Sequence, residues 1–595
     1  MINYYKNLKR KDIVLFFVFC AFSVILLRSI NLQYTENEKY SSLIAKGEIK
    51  SVITRATRGT IVDRNGSILA ESILTHTLGT TNPRAFLNKN TQEDLKKLCK
   101  ILGIKYVNLR RNLEKKVNRK FAYIIAGRKL SPEVVSDISK LNLKVIDYKQ
   151  EFKRFYPEGE VTGNLIGKTN IEHIATSGIE IRNNNTLKEH NGEKIVMKDR
   201  HGEIVSDIKL VSAPKNGEEL MLTIDKRLQY VAYRELKKQA ISVNAKSGSV
   251  VILDTTNGDI LALASYPSYN PNDKYSYTNE KERNRAIIDS IEPASTIKPF
   301  LVAAALHSGK LDLKKMFDTN PGYRIYGSKK YSDTKNNGII NYEEVLIKSS
   351  NIGSILISEE FDKKIYHNLL EYVGFGDMVN INFPSESKGK LDHHSYWGES
   401  DLRSHAIGYA LKVTPLQLAK AYSIIANEGV IINPRIIKRK SIQKNQKQKY
   451  QNSFSKVKHV LGKVVENGSG TRASVKGYSV GGKTGTAEKY MGGKKKKYNK
   501  KEHISLFAGI TPITDPKLVI VVVISEPKTK PKEFYGGHIS APVFRKVATD
   551  SLRILNVSPD MKMDYQKKVS MKIENLDNYT LKTPEVPNVF WINWY

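Results

Sequence analysis

Ile291-Glu-Pro-Ala-Ser295-Thr-Ile-Lys298-Pro-Phe300, running on into the apolar stretch Leu301 to Leu306, is the segment around which this chain is organised. Ser295 and Lys298 are three residues apart, so on a helix they share one face within about one turn, ~5.4 Å of rise. Pro299 fits near a helix start, where its missing N–H removes no intrahelical bond. Ser295 is therefore expected where a helix end offers free N–H groups and partial positive charge. A serine becomes a useful nucleophile when a base takes its proton, and a lysine can be that base only if its surroundings hold it neutral. Ser-x-x-Lys alone is a short pattern in a lysine-rich chain, so its meaning depends on what else the sequence supplies.

The chain has 595 residues, enough for more than one domain, and its 40% hydrophobic and 9% aromatic content excludes a disordered polymer. A formal net charge of +36 would suit nucleic acid, anionic lipid or an anionic polymer. It also fits a Lys/Asn/Ile-rich composition with no specific partner. Cys20 and Cys99 are the two cysteines, and Cys20 lies in an apolar run, so no internal disulfide framework is expected. The adjacent pair His393-His394 is not expected to bind metal, because neighbouring side chains point apart and no third ligand is evident.

Lys6, Lys9, Arg10 and Lys11 precede the uncharged stretch Ile13 to Leu27, which Arg28 interrupts before Ile30 and Leu32. A cleaved signal peptide would need small residues at its end, and Leu27-Arg-Ser-Ile-Asn-Leu32 has no such site. The expectation is a single-pass signal anchor over residues 13–32, with Arg28 snorkelling. Residues 1–12 would then lie in the cytoplasm and the rest outside.

Arg58-Gly-Thr-Ile-Val-Asp63-Arg64-Asn-Gly66-Ser-Ile-Leu-Ala70 predicts strand, Asn-Gly turn, strand, with Arg58, Asp63 and Arg64 as geometry-fixing charges in preference to a site. Helices are expected over 90–101 and 131–141. From Leu222 the texture changes. Asp225 to Ile241 has the period of an amphipathic helix, and Ser249 to Asp254 with Asp259 to Ala264 form a hairpin around Asn257-Gly258. Ser479 to Lys483, Ile504 to Gly509 and Leu518 to Ser525 are expected strands. Strands on either side of a helical block predict one sheet with helices packed on it, a mixed α/β (α+β) domain.

Two further elements complete a constellation. Ser349-Ser350-Asn351 alone would be a polar loop or helix cap. Lys483-Thr484-Gly485-Thr486 follows a strand, and its glycine permits close approach of another backbone or a ligand. Gly477 to Thr484 also fits the phosphate-loop spacing. That loop needs a helix straight after the lysine, however, and Thr486-Ala-Glu-Lys-Tyr-Met-Gly-Gly493 is no helix start.

Ser-x-x-Lys, Ser-x-Asn and Lys-Thr-Gly, in this order, resemble the triplet of penicillin-binding proteins and class A β-lactamases. The resemblance extends over Arg58 to Gly66, Phe155-Tyr-Pro-Glu-Gly159, Ser177-Gly-Ile-Glu180, Ala264 to Pro271 and Gly408 to Gln417. It is closest to class B penicillin-binding proteins, and Tyr535-Gly-Gly-His-Ile-Ser-Ala-Pro-Val-Phe544 resembles the division-specific (septal) member. The space before Arg58 leaves no room for the glycosyltransferase domain of the bifunctional class A proteins. An anchor and a pedestal would be surplus to a β-lactamase. The implied organisation is a pedestal (dimerisation) domain over 50–225, a transpeptidase domain over 226–556 with a β-lactamase-like antiparallel sheet, and a tail over 557–595 with no assigned role.

What the resemblance implies is peptidoglycan D,D-transpeptidation. Ser295 would be the nucleophile, Lys298 its base, Ser349 a proton relay and Asn351 an orienting group. Lys483, Thr484, Gly485 and Thr486 would bind the substrate, with the N–H groups of Ser295 and Thr486 as oxyanion hole. Ala294 stands where relatives often have glycine, a change expected to be tolerated with negative φ. Implied partners are donor and acceptor stem peptides, β-lactams as covalent inhibitors, the inner membrane, and division proteins including a lipid II glycosyltransferase; no cofactor, metal or nucleic acid is implied. An elongation-specific transpeptidase and a non-catalytic division scaffold are the alternatives. The lysine run from Lys494 to Lys501 is a solvated loop or a contact for anionic glycan or headgroups.

Overall fold

The architecture, taken from a computed structural model, is described for residues 10–31, 48–80, 82–87, 91–117, 122–124, 129–143, 145–198, 204–273, 275–439, 448–491, 497–530 and 533–561. One sheet has five antiparallel strands: β1 (Ser247–Asp254), β2 (Ile260–Tyr266), β3 (Gly481–Met491), β4 (Lys497–Thr511) and β5 (Leu518–Ser525). Their order across the sheet is β2-β1-β5-β4-β3, so β3 is an edge. Leu518 to Ser525 lacks the polar alternation of a half-exposed strand because β5 is central and covered on both faces. Leu518, Ile520, Val522 and Ile524 pack into one core, and Val519, Val521 and Val523 into the other.

The first of these cores is closed by α1 (Lys226–Ser242) and by a long helix near the C-terminal end, Gly536–Ile554. Asp225 caps α1, its carboxylate accepting from the Arg227 N–H at 3.0 Å. On the other face lie α2 (Lys298–His307), α3 (Tyr342–Ile347), α4 (Asn351–Ser358), α5 (Pro415–Ala426) and α6 (Gln451–Asn467); the Gly536–Ile554 helix is α7. Phe300 of α2 meets Phe375 and Tyr422 edge-on, each at 5.6 Å. This packing fixes the start of α2, and with it Ser295 and Lys298.

A third, smaller core of Leu78, Leu95, Leu98, Leu109 and Leu113 lies between the strand Ile68–Thr80 and the helices Gln92–Ile101, Tyr106–Glu114 and Pro132–Ser139. The charges expected to fix geometry do so by joining distant segments. Arg58 and Arg154 each donate to the buried Glu180 carboxylate at 2.7 Å. Asp63, fully buried, accepts from the N–H groups of Asn65 and Ser67 at 2.8 Å and of Lys226 at 3.1 Å. One carboxylate therefore shapes the Asn65-Gly66 turn and ties it to the start of α1.

Residues Arg10–Ile30 form a 21-residue helix whose apolar side chains, Phe16, Phe17, Phe19 and Phe22 among them, are exposed. Among the described residues no helix is long and apolar enough to cross a membrane. Of the lysine run, Lys497 to Lys501 begins β4, with Lys497, Tyr498 and Asn499 pairing with Met491, Tyr490 and Lys489. Lys494 to Lys496, and the tail beyond Met561 with Trp591 and Trp594, lie outside the described residues.

Candidate active site

The Ser295 segment is a single 3₁₀ turn, Ala294–Ile297, feeding directly into α2, with Lys298 as first helical residue and Pro299 next. The expectation of a helix start holds; the condition set for an alanine at 294, a negative φ, is not met. Ala294 has φ +48°, because its N–H donates to the Gly408 carbonyl at 3.0 Å and its own carbonyl lies hard against Gly408. A side chain on Gly408 would come within 1.9 Å of that oxygen. Two loops thus hold an alanine in the left-handed region at a cost of roughly 1–2 kcal/mol. The Tyr422 hydroxyl donates to the Thr296 carbonyl at 2.9 Å, pinning the turn from below.

Lys298 has no solvent exposure, and its ammonium nitrogen donates to the Ser349 carbonyl at 2.8 Å and to Asn351 Oδ1 at 2.7 Å. Burial pushes its pKa down to about 7, against the opposing attraction of Asp333. That shift favours a neutral amine at neutral pH far more than an exposed lysine would allow, as a general base requires. Ser350 caps α4 by accepting from the Gly353 N–H at 2.8 Å, and Ser349, at φ +58°, turns the chain into it.

Lys483, also fully buried, donates to Ser349 Oγ at 2.8 Å, so the serine hydroxyl and carbonyl are each held by a different lysine. Burial lowers the Lys483 pKa well below the usual lysine range, and Lys298 lowers it further. Lys483 sits on β3 opposite Ala508, and the next positions on that strand, Thr484 and Thr486, face Ser295 across a cleft. Gly485 brings strand and turn together: a Cβ there would lie 3.0 Å from the Pro293 carbonyl oxygen. β3 continues as strand through Met491, so the phosphate-loop reading has no helix to support it.

The cleft has a volume of about 550 Å³, and Ser295, Ser349, Asn351, Thr484, Gly485 and Thr486 line it. Lys298 and Lys483 lie beneath. All eight residues expected from the sequence therefore meet in one place. Three others escaped the sequence reading. Asp333, after the hairpin Tyr323–Ser332, accepts from the Ser350 hydroxyl at 2.6 Å and from the N–H groups of Asn351 and Ile352. It anchors the whole Ser349-Asn351 corner, but in sequence it is one polar residue among Ser332 to Asn337. Ser469 accepts from the Thr484 hydroxyl at 2.9 Å, and Gly536 donates its N–H to Thr486 Oγ1 at 3.0 Å. For Gly536 the Tyr535-Gly-Gly-His538 pattern was a signal; for Ser469 there was none.

The chain has counterparts among known proteins. The model of the penicillin-binding protein transpeptidase domain matches residues 248–549, and that of the penicillin-binding protein dimerisation domain matches 53–222. The chain belongs to the penicillin-binding protein transpeptidase family. Among class B penicillin-binding proteins, it is 34% identical to the probable peptidoglycan D,D-transpeptidase PenA of Neisseria meningitidis over 557 residues, 92% of this chain and 93% of that one. It is 33% identical to the peptidoglycan D,D-transpeptidase FtsI of Escherichia coli K12 over 525 residues, 87% of each chain. The transpeptidase domain of Burkholderia pseudomallei penicillin-binding protein 3 superposes with a TM-score of 0.52 at 31% identity, over 57% of this chain and 98% of that one. A peptidoglycan synthetase from Bifidobacterium adolescentis shares the fold more widely, with a TM-score of 0.65 at 24% identity over 87% of this penicillin-binding protein and 98% of its own chain.

Proposed function

We propose that this penicillin-binding protein is a septal peptidoglycan D,D-transpeptidase. The observation that carries the reading is the convergence of two buried lysines on Ser349, beside a serine held at the start of α2. Neutral Lys298 takes the Ser295 proton as Oγ attacks the carbonyl between the two terminal D-alanines of a stem peptide. The Ser295 and Thr486 N–H groups receive the developing oxyanion. The C–N bond then breaks, and the proton returns through Ser349 to the leaving amine, releasing D-alanine and leaving an acyl-serine. Thr484, with Lys483 behind it, receives the substrate carboxylate, whose arrival favours the charged form of Lys483. An amine of a second stem attacks the acyl-serine, forming the cross-link and restoring the Ser295 hydroxyl. A β-lactam follows the first half of this path and stops at the acyl-enzyme.

The working division is an anchor over 13–32, a pedestal over 50–225 and a catalytic unit over 226–556. The exposed apolar side chains of the Arg10–Ile30 helix support the anchor in the inner membrane, which would place the cleft on the periplasmic side. The similarity to FtsI and to the Tyr535 to Phe544 pattern supports a role at the septum with division proteins as partners. Depletion of the protein in its host tests this role: cells should grow into filaments. Rounding without filaments would assign it to elongation instead.

A further inference from the structure

Glu488 is a carboxylate in a cleft otherwise lined by neutral and basic groups, among them Lys348, Arg472, His503 and His538. Thr484, Thr486 and Glu488 alternate along β3 and present the same face to the cleft, while Lys483 points beneath it. At about 3.3 Å per residue, Glu488 lies about 7 Å beyond Thr486, on the side away from Thr484. β3 is the edge of its sheet, so an extended peptide can lie along it as an added strand.

With the leaving carboxylate at Thr484 and the attacked carbonyl at Ser295 and Thr486, the chain upstream of the acyl D-alanine runs towards Glu488. The direction follows from the proposed transpeptidation, on which this inference rests. We infer that Glu488 is a specificity residue that pairs with an ammonium group on the side chain of the donor residue immediately upstream of the acyl D-alanine, as a diamino acid would supply.

The surroundings suit an alkyl chain ending in a cation. Tyr409 lines the cleft and meets Tyr498 edge-on at 5.5 Å, while Phe534 stacks on His503 at 3.7 Å. Aromatic faces bury methylene groups and attract an ammonium. His503 is the register partner of Glu488 on β4, and burial lowers its pKa, which favours the neutral ring. Lys489, the next residue, is engaged with Glu502 and Glu526, and among the described residues Glu488 has no ion-pair partner. The β3–β4 register shifts between Glu488 and Lys489, so the regular edge ends where the pairing side chain stands.

The test uses the full chain and two peptide thioester donors that carry lysine or Nε-acetyl-lysine immediately before the acyl D-alanine, with thiol release as readout. The wild type is expected to favour the lysine donor about tenfold, mainly through KM, and less so at high salt. Glu488→Gln should bring that ratio to about one, and Glu488→Lys should invert it towards a donor with glutamate at the same position. A wild type that labels with penicillin but shows no charge preference would overturn the inference and leave the transpeptidase reading standing. A ratio unchanged in Glu488→Gln would overturn it equally. A wild type that forms no acyl-enzyme with thioester or penicillin would overturn both.

Discussion

Lys298→Ala should slow acylation of Ser295 by a penicillin about 10³- to 10⁴-fold, the upper part of the range that a positioned general base supplies. That corresponds to roughly 4–5.5 kcal/mol of barrier. The size of the loss follows from position. Lys298 is the first residue of α2, three after Ser295, and its nitrogen is held by two acceptors, the Ser349 carbonyl and Asn351 Oδ1. Both accept N–H groups and neither supplies a negative charge, so they fix the amine without strongly favouring its protonated form. Lys298→Arg should do no better than alanine, because a guanidinium stays charged at any usable pH. Stopped-flow acylation with a chromogenic β-lactam measures the effect. A loss below about tenfold would show that another group takes the proton.

The acylation rate of the wild type should rise with pH through about 7 and level off above it. Burial sets Lys298 at about 7, with Asp333 opposing, and the reactive form is the neutral amine. Below that value each unit of pH removes about nine-tenths of the neutral form, so going from pH 7 to pH 5 should cost on the order of 50-fold. Above it the lysine is already neutral and little more is gained. Asp333→Asn should move the midpoint lower, because removing a nearby negative charge removes a stabiliser of the ammonium. A rate that stays flat between pH 5 and 8 would mean that Lys298 is not the base.

The parts of this site that were legible in the sequence are those in which spacing and local conformation coincide. Ser295, Lys298 and Pro299 mark a helix start whatever surrounds them, and Lys483-Thr484-Gly485 announces a strand that another backbone must approach. The apolar run Leu518 to Ser525 is a central strand because no polar residue interrupts it. Other features depend on contacts between distant segments. Ala294 adopts positive φ because Gly408, more than a hundred residues away, presses on its carbonyl. Asp333 matters through three donors at the start of α4, which no local pattern reveals. The strand expected to end at Lys483 runs to Met491, because β4 pairs with it along its whole length. That extension places Glu488, outwardly one charge in a polar stretch, inside the cleft.

The most direct measurement is fluorescent-penicillin labelling of the purified full-length protein beside its Ser295→Ala variant, with peptide mapping of the adduct. An acyl-serine transpeptidase predicts a long-lived adduct on Ser295 and none in the variant. A well-folded wild type that takes no label, or an adduct that survives in Ser295→Ala, would contradict it.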